Sequence, residues 1–269
     1  MHRHSPSTVL PWSSESGYHQ DEPMDLIAEE PLSIRVQGRP YVVVMRTPGD
    51  ELAHAAGLCL AEGLVNDPAD IAQLAFCDGT DTNTVTVTLQ ENCARRLAHK
   101  GDRRAYISQT GCGLCGKELI QDLHTEIRPI AGQGAVPIAA AWSALSALHR
   151  HQPLRAQTRA AHAAALHDRG GRLLAVAEDV GRHNALDKVI GRLFLDKQLS
   201  EAAMVVLSSR ISYELVQKAA CARIPIMVAV SRPTALAVAL AESLNMTLAT
   251  RRPGDGFWVY TGADRFQTD

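Results

Sequence analysis

Aromatic side chains are scarce: Trp, Tyr and Phe together make up 4% of the 269 residues. With 46% of the chain hydrophobic, the core must be built from Ala, Val, Leu and Ile. Charge of one sign is also lacking. A net charge of -2 excludes a global basic field for nucleic acid or an anionic membrane, and leaves only local anion sites. No run approaches about 20 consecutive apolar residues, so no membrane span is expected. Residues 1–25 carry His, Ser, Pro and Glu but no apolar h-region, so they read as a disordered tail rather than a secretory signal. Six cysteines with a single close pair do not make a secreted disulfide framework. A reducing compartment, the cytoplasm, is expected. The chain has no Walker loop, no Gly-x-Gly-x-x-Gly and no Ser/His/Asp order with an elbow. NTPase, dinucleotide dehydrogenase and hydrolase readings therefore lack their parts.

What the chain does have is the stretch Gly111-Cys112-Gly113-Leu114-Cys115-Gly116-Lys117. Two thiols three residues apart lie among glycines, and residues 118–126 read as a helix with Leu119, Ile120 and Leu123 inward. A loop running into a helix N-terminus, with Lys117 beside it, lowers a thiol pKa and makes a nucleophile that can hold a transferable sulfur. Three plainer readings compete. A structural zinc site needs four ligands, and Cys59, Cys77, Cys93 and Cys221 are single. A zinc deaminase needs His-x-Glu before its cysteines, whereas His124-Thr125-Glu126 follows them. A thioredoxin-like redox pair stays open.

In chain order, 31–45 reads as a β-hairpin. Thr47, Pro48 and Asp50 then read as the N-cap, first and third positions of a helix that stops at Gly63. A second hairpin joins 71–77 to 83–91, with Val85, Val87 and Leu89 on one face. The basic segment 95–104 reads as a solvated face. Residues 128–137, with two Pro and two Gly, mark the best internal boundary. An amphipathic helix over 138–151 follows. Strands over 162–166, 173–177, 203–208, 225–230, 246–250 and 257–261 alternate with helices over 183–195, 212–222 and 234–245. That pattern predicts an α/β fold with a largely parallel sheet covered on both faces. The expected organisation is a 1–25 tail, a 26–130 hairpin-rich α+β part bearing the cysteine loop, and a 131–269 α/β part.

The second half repeats one device at strand-to-helix junctions: Arg182 with His183, Ser209 with Arg210, and Ser231 with Arg232. Arg251 and Arg252 follow a further strand. Ligands of open α/β sheets bind outside the carboxyl ends of the strands, and arginines at helix N-termini favour phosphate. One such arginine is usually a solvated cap; several on one edge predict a polyanionic ligand. Asp179 as a plain cap, and His183 and His162 as packed histidines, are readings of equal standing.

Taken together, Met45 through Asp50, Cys112 through Lys117, the run EDVGRHNALDK from Glu178, YELVQKA from Tyr213, and 224–231 resemble the FdhD family of formate dehydrogenase accessory sulfurtransferases over about 31–261. The resemblance implies a cytidine-deaminase-like three-layer core and a homodimer. It implies a persulfide carrier that takes sulfur from a cysteine desulfurase on Cys112 or Cys115 and passes it to the molybdenum bis(guanine dinucleotide) cofactor of formate dehydrogenase. That cofactor is bound as substrate, and no cofactor or metal is held permanently. Cofactor-binding positions implied are Arg182, His183, Ser209, Arg210, Ser231 and Arg232. The C-terminal segment Thr250, Arg251, Arg252, Pro253, Gly254 and Asp255 joins them. The chain departs from the family pattern at Arg159 and Ala160, where a Thr-Gly-Gly-x-His motif has glycines, and at Ser209, where glycine is common. A cofactor chaperone that moves no sulfur and a disulfide reductase are the alternatives.

Overall fold

A computed structural model describes residues 2–77, 82–94, 127–132 and 134–268. The cysteine loop, the expected helix over 118–126 and the basic segment 95–104 lie outside the described residues.

The N-terminal residues do not form the disordered tail expected of them. β1 (His4–Val9) pairs antiparallel with β4 (Glu22–Ile27), and the short β2 (Trp12–Ser13) and β3 (Gly17–Tyr18) pair at the tip. Composition missed this because the arm is tied down by polar contacts with distant residues. Arg3 donates to the Glu178 carbonyl at 2.6 Å, and Gln157 donates to the Asp25 carboxylate at 3.0 Å.

The expected hairpins are present. β5 (Glu30–Val36) pairs with β6 (Arg39–Arg46), and β7 (Ile71–Phe76) pairs with β8 (Thr84–Leu89). A parallel pairing of β5 with β8 joins them into a four-stranded sheet ordered β6-β5-β8-β7. Leu32, Ile34 and Val36 alternate inward with Val85, Val87 and Leu89, as a half-buried sheet requires. Between the hairpins runs α1 (Glu51–Ala61), which stops before Gly63 at φ 66°. Its start differs from the expectation. Asp50, not Thr47, is the N-cap residue, and it makes no side-chain cap bond. The Thr47 hydroxyl is engaged elsewhere, accepting from the Val180 N–H at 3.0 Å.

In the second half, β9 (Val136–Pro137), α2 (Ile138–Ala147) and α3 (Pro153–Thr158) precede β10 (His162–His167) and β11 (Leu173–Asp179). The chain then runs through α4 (Arg182–Leu195), β12 (Met204–Leu207), α5 (Tyr213–Cys221), β13 (Ile226–Ala229) and α6 (Ala235–Ser243). It closes with β14 (Thr247–Arg251), β15 (Phe257–Thr261) and β16 (Phe266–Gln267). The main sheet is ordered β11-β10-β12-β13-β14-β15. It is mixed rather than largely parallel: only the β12–β13 and β13–β14 pairings are parallel. Short hairpins at Gly170-Gly171 and around Gly254 leave no length for a crossover, so those neighbours must run antiparallel.

Each face of this sheet carries its own apolar cluster. Ala163, Ala165, Val206 and Val228 pack with Ala141, Leu145 and Leu148 of and just after α2. Leu166, Val205, Leu207, Met227 and Leu248 face α4, α5 and α6, and that cluster continues through α1 to Leu32 and Val85 of the four-stranded sheet. The boundary expected at 130 thus separates stretches of chain that share one core. Among the described residues no helix is long and apolar enough to cross a membrane.

Candidate functional site

The pairings make β11, β12, β13 and β14 run in the same direction, with β10 reversed between β11 and β12. Their carboxyl ends therefore share one edge, and each junction singled out in the sequence stands there. Arg182 is the first residue of α4 and is half-buried. Arg210 follows β12, Arg232 follows β13, and both are exposed. Their loops are tied together: Ile211 and Pro233 form a bridge, and the Thr234 N–H donates to the Ile211 carbonyl at 3.0 Å. Thr234 caps α6 by accepting from the Ala237 N–H.

Arg251, the last residue of β14, and Arg252 after it are exposed, and each lies over a tryptophan. Arg251 is 5.7 Å from the Trp142 ring and Arg252 is 5.5 Å from the Trp258 ring. Such stacking holds a guanidinium without consuming its N–H donors. Pro253, Gly254 and Asp255 form the exposed hairpin tip, closed by the Arg252 N–H donating to the Gly256 carbonyl. Thr250 is fully buried, and its hydroxyl lies 3.4 Å from that of Tyr260. Ser209 is also buried and donates to the Arg210 carbonyl at 3.0 Å, whereas Ser231 is exposed. Thr250 and Ser209 thus support the edge from below, while the four arginines of the exposed junctions and the half-buried Arg182 form it.

His183, the second residue of α4, is not packed away. Its Nε2 lies 2.7 Å from Glu214 Oε2 and 3.4 Å from Ser212 Oγ, at the start of α5. The His183 hydrogen bond, more than any other interaction, holds the Glu214 carboxyl below its ordinary range. His162 opens β10 at the same edge. Burial lowers its pKa first, and the charges of Arg182 and Arg155 lower it further.

The motif run from Glu178 to Lys188 is mostly scaffold. Asp179 is fully buried and bonds Lys188 Nζ at 2.6 Å. It also accepts from the Gly181 and Thr47 N–H groups and from the Asn184 amide. Lys188 donates to the Thr47 carbonyl at 2.7 Å, and Asn184 donates to that of Met45 at 2.7 Å. The Glu178 carboxylate accepts from the Leu154 and Arg155 N–H groups, capping α3 from outside. Asp179 is therefore neither a simple cap nor a ligand but the clasp between the Met45–Thr47 segment and α4. Sequence reading did not find Glu214, Trp142 or Trp258 as parts of the edge. An acid in the first turn of α5 was the only local signal for Glu214.

Cys112 and Cys115 lie outside the described residues. Among the described thiols Cys77 is exposed, while Cys59 is buried, and burial pushes its pKa up to about 12.

Comparison with known proteins agrees on one family. A model of the FdhD/NarQ family matches residues 27–267. A protein named Sulfur carrier protein FdhD from Streptomyces coelicolor is 40% identical over 252 residues, covering 90% of this chain and 89% of its own. One of the same name from Mycobacterium tuberculosis is 40% identical over 255 residues, covering 90% and 92%. The crystal structure of a putative formate dehydrogenase accessory protein from Desulfotalea psychrophila aligns with a TM-score of 0.77 at 24% identity, covering 98% of this chain and 99% of that one. That likeness supports the fold. Together with the Cys-x-x-Cys loop and the arginine edge, the extent of these matches establishes that the chain belongs to the FdhD/NarQ family.

Proposed function

We propose that this protein is a sulfur carrier for formate dehydrogenase. The Cys112 thiolate attacks the outer sulfur of a cysteine desulfurase persulfide, the desulfurase cysteine leaves as a thiolate, and Cys112 keeps the sulfur as a persulfide. Cys115, nearer the expected helix, assists or resolves. The sulfur then passes to the molybdenum bis(guanine dinucleotide) cofactor, a substrate bound along the strand-end edge, before formate dehydrogenase receives it. The names of the relatives and the intact Cys-x-x-Cys loop support the sulfur chemistry.

The observation that carries the reading is the convergence of Arg182, Arg210, Arg232, Arg251 and Arg252 on one edge of the main sheet. Two pyrophosphates present several charges that such an edge would bind with charge-assisted hydrogen bonds. Ser231 and Asp255 are open to the same ligand, and His183 stands at its α4 end. The cytidine-deaminase-like reading of the core belongs to this proposal, and the reversal of β10 between β11 and β12 supports it. So does a homodimer, which the exposed Leu10, Trp12 and Tyr18 of the N-terminal arm would suit. A cytoplasmic setting follows from the reduced thiols that the chemistry needs.

The deciding experiment uses the chain with Cys112→Ala and Cys115→Ala. It keeps every arginine, so calorimetry should show GDP binding close to that of the parent. In a strain lacking its own carrier it should fail to activate formate dehydrogenase. Full activation by the thiol-free chain would sink sulfur transfer and leave a cofactor chaperone.

A further inference from the structure

We propose that Glu214 is a positioning residue of the anion edge: it holds the His183 ring by Nε2, so that Nδ1 is the nitrogen offered to a bound phosphate. The inference rests on reading that edge as a phosphate site. His183 and Glu214 are the second residues of α4 and α5, so their contact joins two helix starts at the carboxyl edge of the sheet. Glu214 Oε2 is 2.7 Å from Nε2. Ser212, the N-cap residue of α5, makes no side-chain cap bond, and its hydroxyl instead lies 3.4 Å from the same nitrogen. A carboxylate on Nε2 requires the proton there, which fixes the tautomer. Nδ1 is then a lone pair in the neutral ring and an N–H donor in the charged ring.

Glu214 is the counter-charge in contact with that ring. Arg182 Nε and His162 Nδ1 are both buried without a hydrogen-bond partner among the described residues. The charges of Arg182, Arg155 and His183 act on His162, and that of Asp179 opposes them. Asp179 is already committed to Lys188 and Asn184. A buried guanidinium nitrogen left unpaired is costly, and an anionic oxygen satisfies it. In the charged ring both nitrogens donate, Nε2–H to the Glu214 carboxylate and Nδ1–H to a phosphate oxygen.

The test uses the full chain, long-range nitrogen–proton NMR of the histidine rings, and calorimetry with inorganic pyrophosphate and with GDP. In the parent, His183 should show the Nε2–H tautomer, and pyrophosphate should shift the Nδ1 resonance. Glu214→Gln should redistribute the tautomers and, by removing the carboxylate that favours the charged ring donating from Nδ1, weaken both ligands by about tenfold, the loss of one charge-assisted hydrogen bond. Glu214→Asp should recover part of the loss. The Glu214 side chain is 62% exposed, so these variants should melt as the parent does. Parental affinity in Glu214→Gln, or pyrophosphate binding that leaves Nδ1 unmoved, overturns the positioning role alone. A parent that binds neither pyrophosphate nor GDP overturns this role together with the phosphate reading of the edge.

Discussion

His167 closes β10 with its ring 4% exposed, and burial, the largest cause, draws its pKa from the ordinary 6.5 down to about 4. The folded protein thus holds it neutral where the unfolded chain would charge it. Between pH 6.5 and about 4 the unfolded state binds the extra proton. This contribution is complete above pH 6.5 and is lost as pH falls through that window, at up to about 1.4 kcal/mol per pH unit. Fully buried His54, drawn well below its ordinary range first by burial and then by Lys188 and Lys218, acts in the same sense. Urea titrations at pH 7, 6 and 5 should show falling stability, with a shallower slope in His167→Gln; equal slopes would remove the assignment. At the same scale, Arg159 ends α3 at φ 60°. That left-handed conformation suits glycine, so Arg159 is held there at a cost of about 1 kcal/mol.

At the scale of elements, the tightest contact is the crossing of α1 and α4. Gly57 faces the Asp187 carbonyl and Gly191 faces that of Ala53, each so closely that a Cβ would overlap backbone. Both helices are buried and neither carbonyl can rotate away, so the two axes are held together by the missing side chains. Gly57→Ala should therefore destabilise by about 3 kcal/mol, the upper range for overpacking, despite the better helix propensity of alanine. A urea midpoint equal to or above that of the parent would mean that the helices separate freely. The crossing matters for the site because α4 carries Arg182 and His183 at its N-terminus.

For the whole molecule, the clasp of Met45, Thr47, Asp179, Asn184 and Lys188 joins the four-stranded sheet to the six-stranded one, over a core that both share. The two should unfold in one transition, with coincident circular dichroism and tryptophan fluorescence curves. Asp179→Ala leaves Lys188 Nζ buried without its charge partner and should lower stability by about 3–5 kcal/mol. Two separated transitions in the parent, or a loss under 1 kcal/mol in the variant, would show that the clasp does not couple the halves.

Among the described residues the hairpins, the helices and nearly every strand of the second half stand where periodicity put them. Alternation at Thr84–Leu89 and the stop at Gly63 are local properties, written within a few residues. The gathering of the arginines was legible as well, because strand-to-helix alternation implies a common edge. The direction of β10 and β15, the order of the N-terminal arm and the roles of the motif residues were not. Thr47 reads as a helix cap until Asp179, 132 residues away, is found accepting its N–H. Glu214 reads as an ordinary first-turn acid until His183 is beside it. Sequence pattern determines what a segment becomes because neighbours along the chain decide backbone conformation. Only tertiary structure decides which polar groups meet, because a buried carboxylate takes its partners from whatever chain the core brings within about 3 Å.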